Sequence, residues 1–285
     1  MTDLASPAGT AHVLRSHGIR PRKRFGQHFL VSRHILRQIL AAAELTPRDG
    51  ILEVGAGIGT LTVALAPLVR AVLAIEVDRG LLTALTENIA SFPNVHVAPG
   101  DVMRLDLPAL LAGLPAPRKA VSNLPYNIAS PLILSLLERS LGLTRLVFTV
   151  QREVAQRLVA VPGTKEYGAL SVAVQYRAHP RVIARVPAGA FFPPPDVESA
   201  IIIVEPRDVP PVEVGDEQMF FQIVRASFAQ RRKMLRNTLA AGLALAPAVV
   251  EAACRAAGID PARRGETLDL AAFATLSRAL GTARR

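Results

Sequence analysis

Between residues 51 and 151 short apolar runs alternate with segments of helical period, and this alternation restricts the fold more than any other feature. The runs at 51–55, 71–76, 95–98, 120–123 and 146–151 read as buried strands. Helix-like stretches at 61–69, 79–90, 130–140 and 153–159 lie between or after them. Strands separated by helices need a parallel sheet covered on both faces, so the expected fold class is α/β. Upstream, Ser32 can cap a helix whose apolar positions Ile35, Leu36, Ile39, Leu40 and Ala43 follow helical spacing. From residue 170 the pattern changes: 170–176, 181–186 and 200–204 read as strands without a long helix between them, which suits antiparallel strands finishing the sheet. Pro206-Arg207-Asp208-Val209-Pro210-Pro211 marks a boundary, and beyond it 217–228, 231–243, 248–257 and 270–280 all read as helix. The expected organisation is a flexible basic arm at 1–24, an α/β domain at 25–208 and a small all-helical domain at 209–285.

Half of the 285 residues are apolar, which excludes a disordered chain. The longest apolar stretch, 239–250, contains Gly242 and Pro247 and is too short to cross a bilayer. The first fifteen residues lack a basic start followed by an apolar segment, so no secretion signal is expected. The lone Cys254 excludes an internal disulfide or a zinc cluster and fits a reducing cytoplasm. The formal net charge is +10. Its distribution is more informative: residues 49–108 carry three basic and seven acidic side chains, a net of −4, leaving +14 for the rest. The positive charge gathers at Arg20, Arg22, Lys23 and Arg24, at Arg177, Arg181 and Arg185, and at Arg225, Arg231, Arg232, Lys233 and Arg236. Basic patches flanking an acidic centre point to nucleic acid.

The acidic block holds the sharpest motif, Glu53-Val54-Gly55-Ala56-Gly57-Ile58-Gly59-Thr60. Glycines at a strand end let the backbone turn tightly and approach a ligand beside a helix N-terminus. The third glycine comes one place too early for a nicotinamide-binding turn. Glu53 also stands where a cationic ligand suits better than a phosphate. Glu76 closes the second strand, placed to accept ribose hydroxyls, and Asp101 follows the third, placed to accept from an adenine amino group. Ligands of such sheets bind across the carboxyl ends of the strands, so these acids describe one nucleoside pocket. Their spacing resembles that of the class I methyltransferases that use S-adenosylmethionine.

Asn123-Leu124-Pro125-Tyr126 ends the next strand. An Asn side-chain oxygen and a following carbonyl can accept hydrogen bonds from an exocyclic amine and aim its lone pair. Pro125 stiffens the loop, and Tyr126 offers a ring on which a base can stack. Phe191-Phe192, ahead of three prolines, could sandwich a base against Tyr126 or fill core. Arg225, Arg232 and Arg236, spaced by seven and four, are expected to share a helical face that tracks phosphates.

Taken with Phe25-Gly26-Gln27-His28-Phe29-Leu30, Gln151-Arg152-Glu153-Val154-Ala155, Tyr167-Gly168-Ala169-Leu170-Ser171-Val172 and Phe228-Ala229-Gln230-Arg231-Arg232-Lys233, these motifs resemble the bacterial 16S ribosomal RNA adenine dimethyltransferases, the family linked to kasugamycin sensitivity. The resemblance runs from about Arg22 to Leu280. It implies a Rossmann-like, mostly parallel seven-stranded sheet with a helical C-terminal domain. It also implies dimethylation, from S-adenosylmethionine, of N6 on two adjacent adenosines in a hairpin near the 3′ end of 16S ribosomal RNA. His28, Leu30, Glu53, Gly55, Gly57, Glu76, Asp101 and Asn123 are the expected cofactor contacts. The methyl acceptor is expected at Asn123, Leu124, Pro125, Tyr126 and Phe191. RNA contacts are expected at Arg22, Lys23, Arg225, Arg231, Arg232, Lys233 and Arg236, in a monomer that uses no metal and no membrane. The chain departs from the family at Asp196, where lysine is common, and at Asp269, where serine is frequent and either residue caps a helix. The alternatives are methylation of a large-subunit adenine, a ribosome assembly factor that acts by binding, and, last, a nicotinamide oxidoreductase.

Overall fold

A computed structural model describes residues 2–22 and 26–283. It forms two compact units: residues up to Ala155 with His179–Pro206, and Gln156–Ala178 with the residues from Arg207 onward.

The first unit begins with helix α1 (Pro7–Ser16), strand β1 (Phe29–Leu30) and helix α2 (Arg33–Ala43). Strands and helices then alternate: β2 (Gly50–Val54), α3 (Thr60–Leu65), β3 (Ala71–Glu76), α4 (Arg79–Ile89), β4 (Val95–Pro99), α5 (Leu107–Ala112), β5 (Arg118–Asn123), α6 (Ala129–Glu138) and β6 (Leu143–Gln151). Helix α7 (Arg152–Val159) follows β6, and α8 (Ala169–Arg177) precedes β7 (Ala178–Val186), β8 (Phe191–Phe192) and β9 (Ser199–Pro206). Seven strands form the main sheet in the order β4-β3-β2-β5-β6-β9-β7. Neighbours from β4 to β6 are parallel and β9 runs antiparallel to β6. Every residue of β2 is buried, as expected of a strand covered on both faces. The α2 stripe Ile35, Ile39 and Ala43 packs with Ile51, Val121, Val147 and Ile201 into one core cluster. Helix α4 sets Leu85 and Ile89 against Ala74 in another.

Within the expected flexible arm, Pro7–Ser16 instead form a helix. Ser6 caps α1 by accepting from Gly9 N at 3.1 Å, and Pro7 takes the first helical position, where its missing N–H costs nothing. Leu4, Val13 and Leu14 are buried with Phe29, Ile58, Leu81 and Ala84, so an apolar face fixes the segment. Asp3 accepts both Nε and Nη2 of Arg33.

The second unit also differs from expectation. Residues 170–176 form most of helix α8 rather than a strand, and Gln156–Ala178 belongs with the helices after Arg207 instead of with the sheet. The reason is aromatic packing: Tyr176 lies 5.1 Å from Phe220 and 5.4 Å from Phe221, ring centre to ring centre. Arg177 stacks over Phe221 at 4.0 Å and pairs with Glu217. The unit continues with α9 (Glu217–Ala229), α10 (Leu235–Leu243), α11 (Pro247–Ala256) and α12 (Leu270–Ala283). Asp269 caps α12, accepting from Ala272 N at 2.8 Å. Among the described residues no helix is long and apolar enough to cross a membrane, and no three His, Cys, Asp or Glu side chains group as metal ligands.

Candidate active site

At the carboxyl ends of β2, β3 and β5 the chain encloses a cavity lined by His28, Leu30, Glu53, Gly55, Gly57, Glu76, Asp101, Asn123, Leu124, Pro125 and Tyr126, among others. Every residue expected to meet the cofactor is therefore on one wall or another of a single cavity.

Gly55 and Gly57 have φ of +74° and +63°, a region that side chains strain to adopt. Gly55 also needs the space: a Cβ there would stand 3.0 Å from the ring of Pro125. The turn from β2 into α3 thus rests against the loop after β5. The carboxylate of Glu76 accepts from Gly57 N through Oε2 and from Asp78 N through Oε1, each at 2.8 Å. These bonds fix its plane at the wall of the cavity. Burial nonetheless pushes the Glu76 pKa above the usual carboxylate value, against the pull of those backbone donors.

Glu53 is more strongly perturbed. Burial, with the negative charge of Glu76 adding and the Thr62 hydroxyl opposing, pushes its pKa up to about 8. Its Oε2 is buried without a hydrogen-bond partner. Asp101 is more open: Oδ1 accepts from Met103 N at 3.0 Å and Oδ2 lies 3.7 Å from Arg104.

Asn123 donates from Nδ2 to the His28 carbonyl at 2.9 Å, which orients the amide and leaves Oδ1 buried with no partner. A buried acceptor without a donor costs free energy unless a ligand supplies one. The neighbouring Pro125 carbonyl accepts from Ile128 N at 3.2 Å, and Leu124 N donates to Thr149 O at 3.1 Å, so the loop is held at both ends.

Residues 26–30 all line the cavity, and His28 and Leu30 among them are the expected contacts. Gln27 donates from Nε2 to Asp78 Oδ2 at 2.8 Å and accepts from Arg22 N at 2.8 Å. Arg22 Nη1 lies 3.5 Å from the other Asp78 oxygen. Asp78 is not among the expected site residues; its place two residues after Glu76 is the one sequence signal that points to it. The His28 ring stacks on Tyr126, centroids 5.2 Å apart and planes inclined by 29°. Its Nδ1 is 2.7 Å from the Pro193 carbonyl.

Phe191 does not join this group. It is 3% exposed, pairs with Leu30 across β1 and β8, and belongs to the core cluster around α2, which removes its ring from reach of a base. Phe192 is half-buried against the cluster of α1.

The expected RNA residues separate by what they touch. Lys23 lies outside the described residues. Helix α9 ends at Ala229 and α10 starts at Leu235, so Arg225, Arg232 and Arg236 do not share one helical face. Arg231 pairs with Glu266 at 2.8 Å and donates to the Thr164 carbonyl, and Arg236 pairs with Glu251 at 3.1 Å. Arg225, Arg232 and Lys233 are exposed and form no ion pair among the described residues.

A mixed seven-stranded sheet with a glycine turn and acids at successive strand ends defines a class I, Rossmann-like methyltransferase fold. Solved structures agree: a dimethyladenosine transferase from Plasmodium falciparum superposes with TM-score 0.73 at 24% identity, covering 90% of this chain and 98% of that one. The 23S rRNA methyltransferase ErmE superposes with TM-score 0.65 at 26% identity, covering 88% and 99%. Residues 18–279 match the family model for ribosomal RNA adenine dimethylase, and the chain belongs to that family of enzymes. Relatives include the ribosomal RNA small subunit methyltransferase A of Geobacillus thermodenitrificans, 45% identical over 98% of this chain and 97% of its own length. The protein of that name from Pelotomaculum thermopropionicum is 46% identical over 97% of each. S-adenosylmethionine, which the family implies, fits the donor set: a carboxylate held by two backbone N–H groups at Glu76, a second buried acid without a cation at Glu53, and an unpaired amide oxygen at Asn123.

Proposed function

We propose that this protein transfers methyl groups from S-adenosylmethionine to N6 of two adjacent adenosines in a 3′-terminal hairpin of 16S ribosomal RNA, dimethylating both during small-subunit biogenesis, as a monomer in the cytoplasm. The observation that carries the reading is the unpaired, buried Oδ1 of Asn123 in the cavity that also holds Glu53 and Glu76. The small-subunit relatives at 45–46% identity, against 26% for ErmE, favour the small subunit as the substrate.

When bound, S-adenosylmethionine supplies a methyl group on a cationic sulfur. Glu76 would hold the ribose hydroxyls, Asp101 the adenine amino group, and Gly55 and Gly57 the close backbone approach, with His28 and Leu30 covering the site. Asn123 Oδ1 and the Leu124 carbonyl would accept the two hydrogens of the target amine and aim its lone pair. As nitrogen becomes positive, both oxygens stabilise it more strongly than they stabilise the neutral amine, which is catalysis by preferential transition-state binding. The methylated nitrogen is acidic enough to release its proton to water, so no strong base is needed. A neutral amide acceptor also serves the second transfer, since a monomethylated amine still has one hydrogen to offer. Tyr126 would stack the base, and Arg225, Arg232 and Lys233 would meet phosphates.

The test is incubation of unmethylated small subunits with labelled cofactor, followed by mapping of the modified nucleotides. Label on two adjacent adenosines of 16S RNA is expected. Label confined to a 23S adenine would transfer the activity to the large subunit, and absence of label would leave a binding factor.

A further inference from the structure

We infer that Ser199 is a positioning residue for the target base, acting through Tyr126. The inference rests on the reading above, in which the base stacks on that ring. Ser199 is the first residue of β9, fully buried, and its place is set by register with Gln151 of β6. Its Oγ lies 2.6 Å from the Tyr126 hydroxyl. That bond ties the far end of the ring to the central sheet, while the near end hangs from the loop that also carries Asn123.

A ring carried by a loop can swing about χ1 and turn about χ2 unless something holds it. Here two contacts do. The hydroxyl bond to Ser199 anchors the far end of the ring axis against a swing about χ1, and the imidazole of His28, stacked on one face, opposes the turn about χ2. His28 is itself held by the Pro193 carbonyl, so the two ends of the same short loop, Pro193 and Ser199, fix both members of the aromatic pair. The backbone just before Ser199 is fixed in turn, because Glu198 accepts from Arg152 N at 2.9 Å and pairs with its guanidinium at 2.9 Å. A ring that only filled space here would not need a hydroxyl; a phenylalanine would do. The hydroxyl and its serine partner set where the ring's far end sits, and His28 its tilt, so together they place the surface on which a base must lie for its amine to reach Asn123. Misplacement of a reacting group by a fraction of an ångström is costly in rate while leaving ground-state affinity largely intact.

The experiment is a double-mutant cycle on the full chain with unmethylated small subunits as substrate. Ser199→Ala and Tyr126→Phe should each lower kcat between about three- and tenfold, the worth of one neutral hydrogen bond. KM for the subunit and the calorimetric affinity for S-adenosylmethionine should stay within about twofold. The double variant should fall no further than either single one, and Ser199→Thr should restore most of the rate. Unchanged kcat in Ser199→Ala, or single effects that multiply in the double variant, would overturn the inference. Loss of cofactor affinity in step with kcat in both variants would also overturn it, since that marks general damage to the fold. Tyr126→Ala tests the underlying reading separately. If it keeps full activity, the stacking role fails; if it collapses while Ser199→Ala does not, only the positioning role of Ser199 fails.

Discussion

Two neighbouring parallel strands, β2 and β5, have a buried carboxyl group beside each end and treat the two in opposite ways. At the amino end, Asp49 just ahead of β2 is fully buried, and Lys119 of β5 meets it at 2.8 Å while also donating to the Glu44 carbonyl at 2.5 Å. Burial alone would raise the Asp49 pKa, but the hydrogen bonds from Lys119 and Thr46 outweigh it and hold the carboxyl below its usual value. At the carboxyl end, Glu53 of β2 is as deeply buried, with Asn123 of β5 ending beside the same cavity and no cation of the chain within reach of a salt bridge among the described residues. There the pKa goes up instead. One end of the pair is finished by the chain itself; the other is left in need of a ligand. A buried acid is therefore not a functional sign by its burial alone. What it lacks decides the matter.

The largest effect should come from unmaking the finished end. Lys119→Met leaves Asp49 buried without its cation and should cost about 3–5 kcal/mol of stability, lowering Tm by roughly 10 °C. Cofactor affinity of the folded fraction should be unchanged; a loss of affinity at constant Tm would reverse the roles given to the two ends. Next, Asn123→Ala should reduce methyl transfer by roughly 10²–10³-fold, with cofactor affinity changing far less and Tm hardly at all. An active alanine variant would remove the unpaired oxygen from the chemistry.

Glu53→Gln probes the unfinished end through pH. In the unfolded chain this carboxyl ionises near 4.5, whereas in the fold it keeps its proton up to about pH 8. The native state binds the extra proton in that window, so stability associated with Glu53 falls as pH rises from about 4.5 to 8. The Gln variant has nothing to ionise. Its Tm should match the wild type at pH 4.5 and exceed it by roughly 10 °C at pH 8 without cofactor. An offset equal at both pH values would mean that Glu53 is charged throughout. A smaller effect tests the same contrast in the helical unit, where Arg231 is paired and Arg232 is not. Arg232→Gln should reduce the slope of log affinity for RNA against log salt by about 0.7–0.9, and Arg231→Gln by distinctly less. Equal changes would mean that pairing to Glu266 does not keep Arg231 from phosphate.

The legible parts of the molecule were those dictated by backbone constraint and local chemistry. Glycines at a strand end, acids closing Ala71–Glu76 and following Val95–Pro99, and Asn123 at the end of β5 all fall within a few residues of the cavity they build. Helix α1 has local signals too, Ser6-Pro7 as a start and Thr10, Val13 and Leu14 at helical spacing, but three such positions are too few to make an apolar period across residues 1–24. Helix α8 has no such spacing, because Ser171, Val172, Ala173, Val174 and Tyr176 are all buried, and a helix covered nearly all round shows no period. Strands β1 and β8, two residues each, have no pattern of their own. Their pairing decides that Phe191 is core, and nothing near Phe191 in sequence announces Leu30 as its neighbour. The same holds for Gln27 with Asp78 and Tyr126 with Ser199, contacts made across 51 and 73 positions of chain.

The contact of Gly55 with Pro125 has a consequence for how such an enzyme can change over generations. A methyl group on residue 55 would press on the proline ring at 3.0 Å, and a bulkier residue at 125 would press back. The two positions are coupled by that contact. A lineage that altered either would first have to pass through a shifted acceptor loop, and with it a shifted Asn123, so drift at one site is conditional on the other even though 70 residues separate them in the sequence.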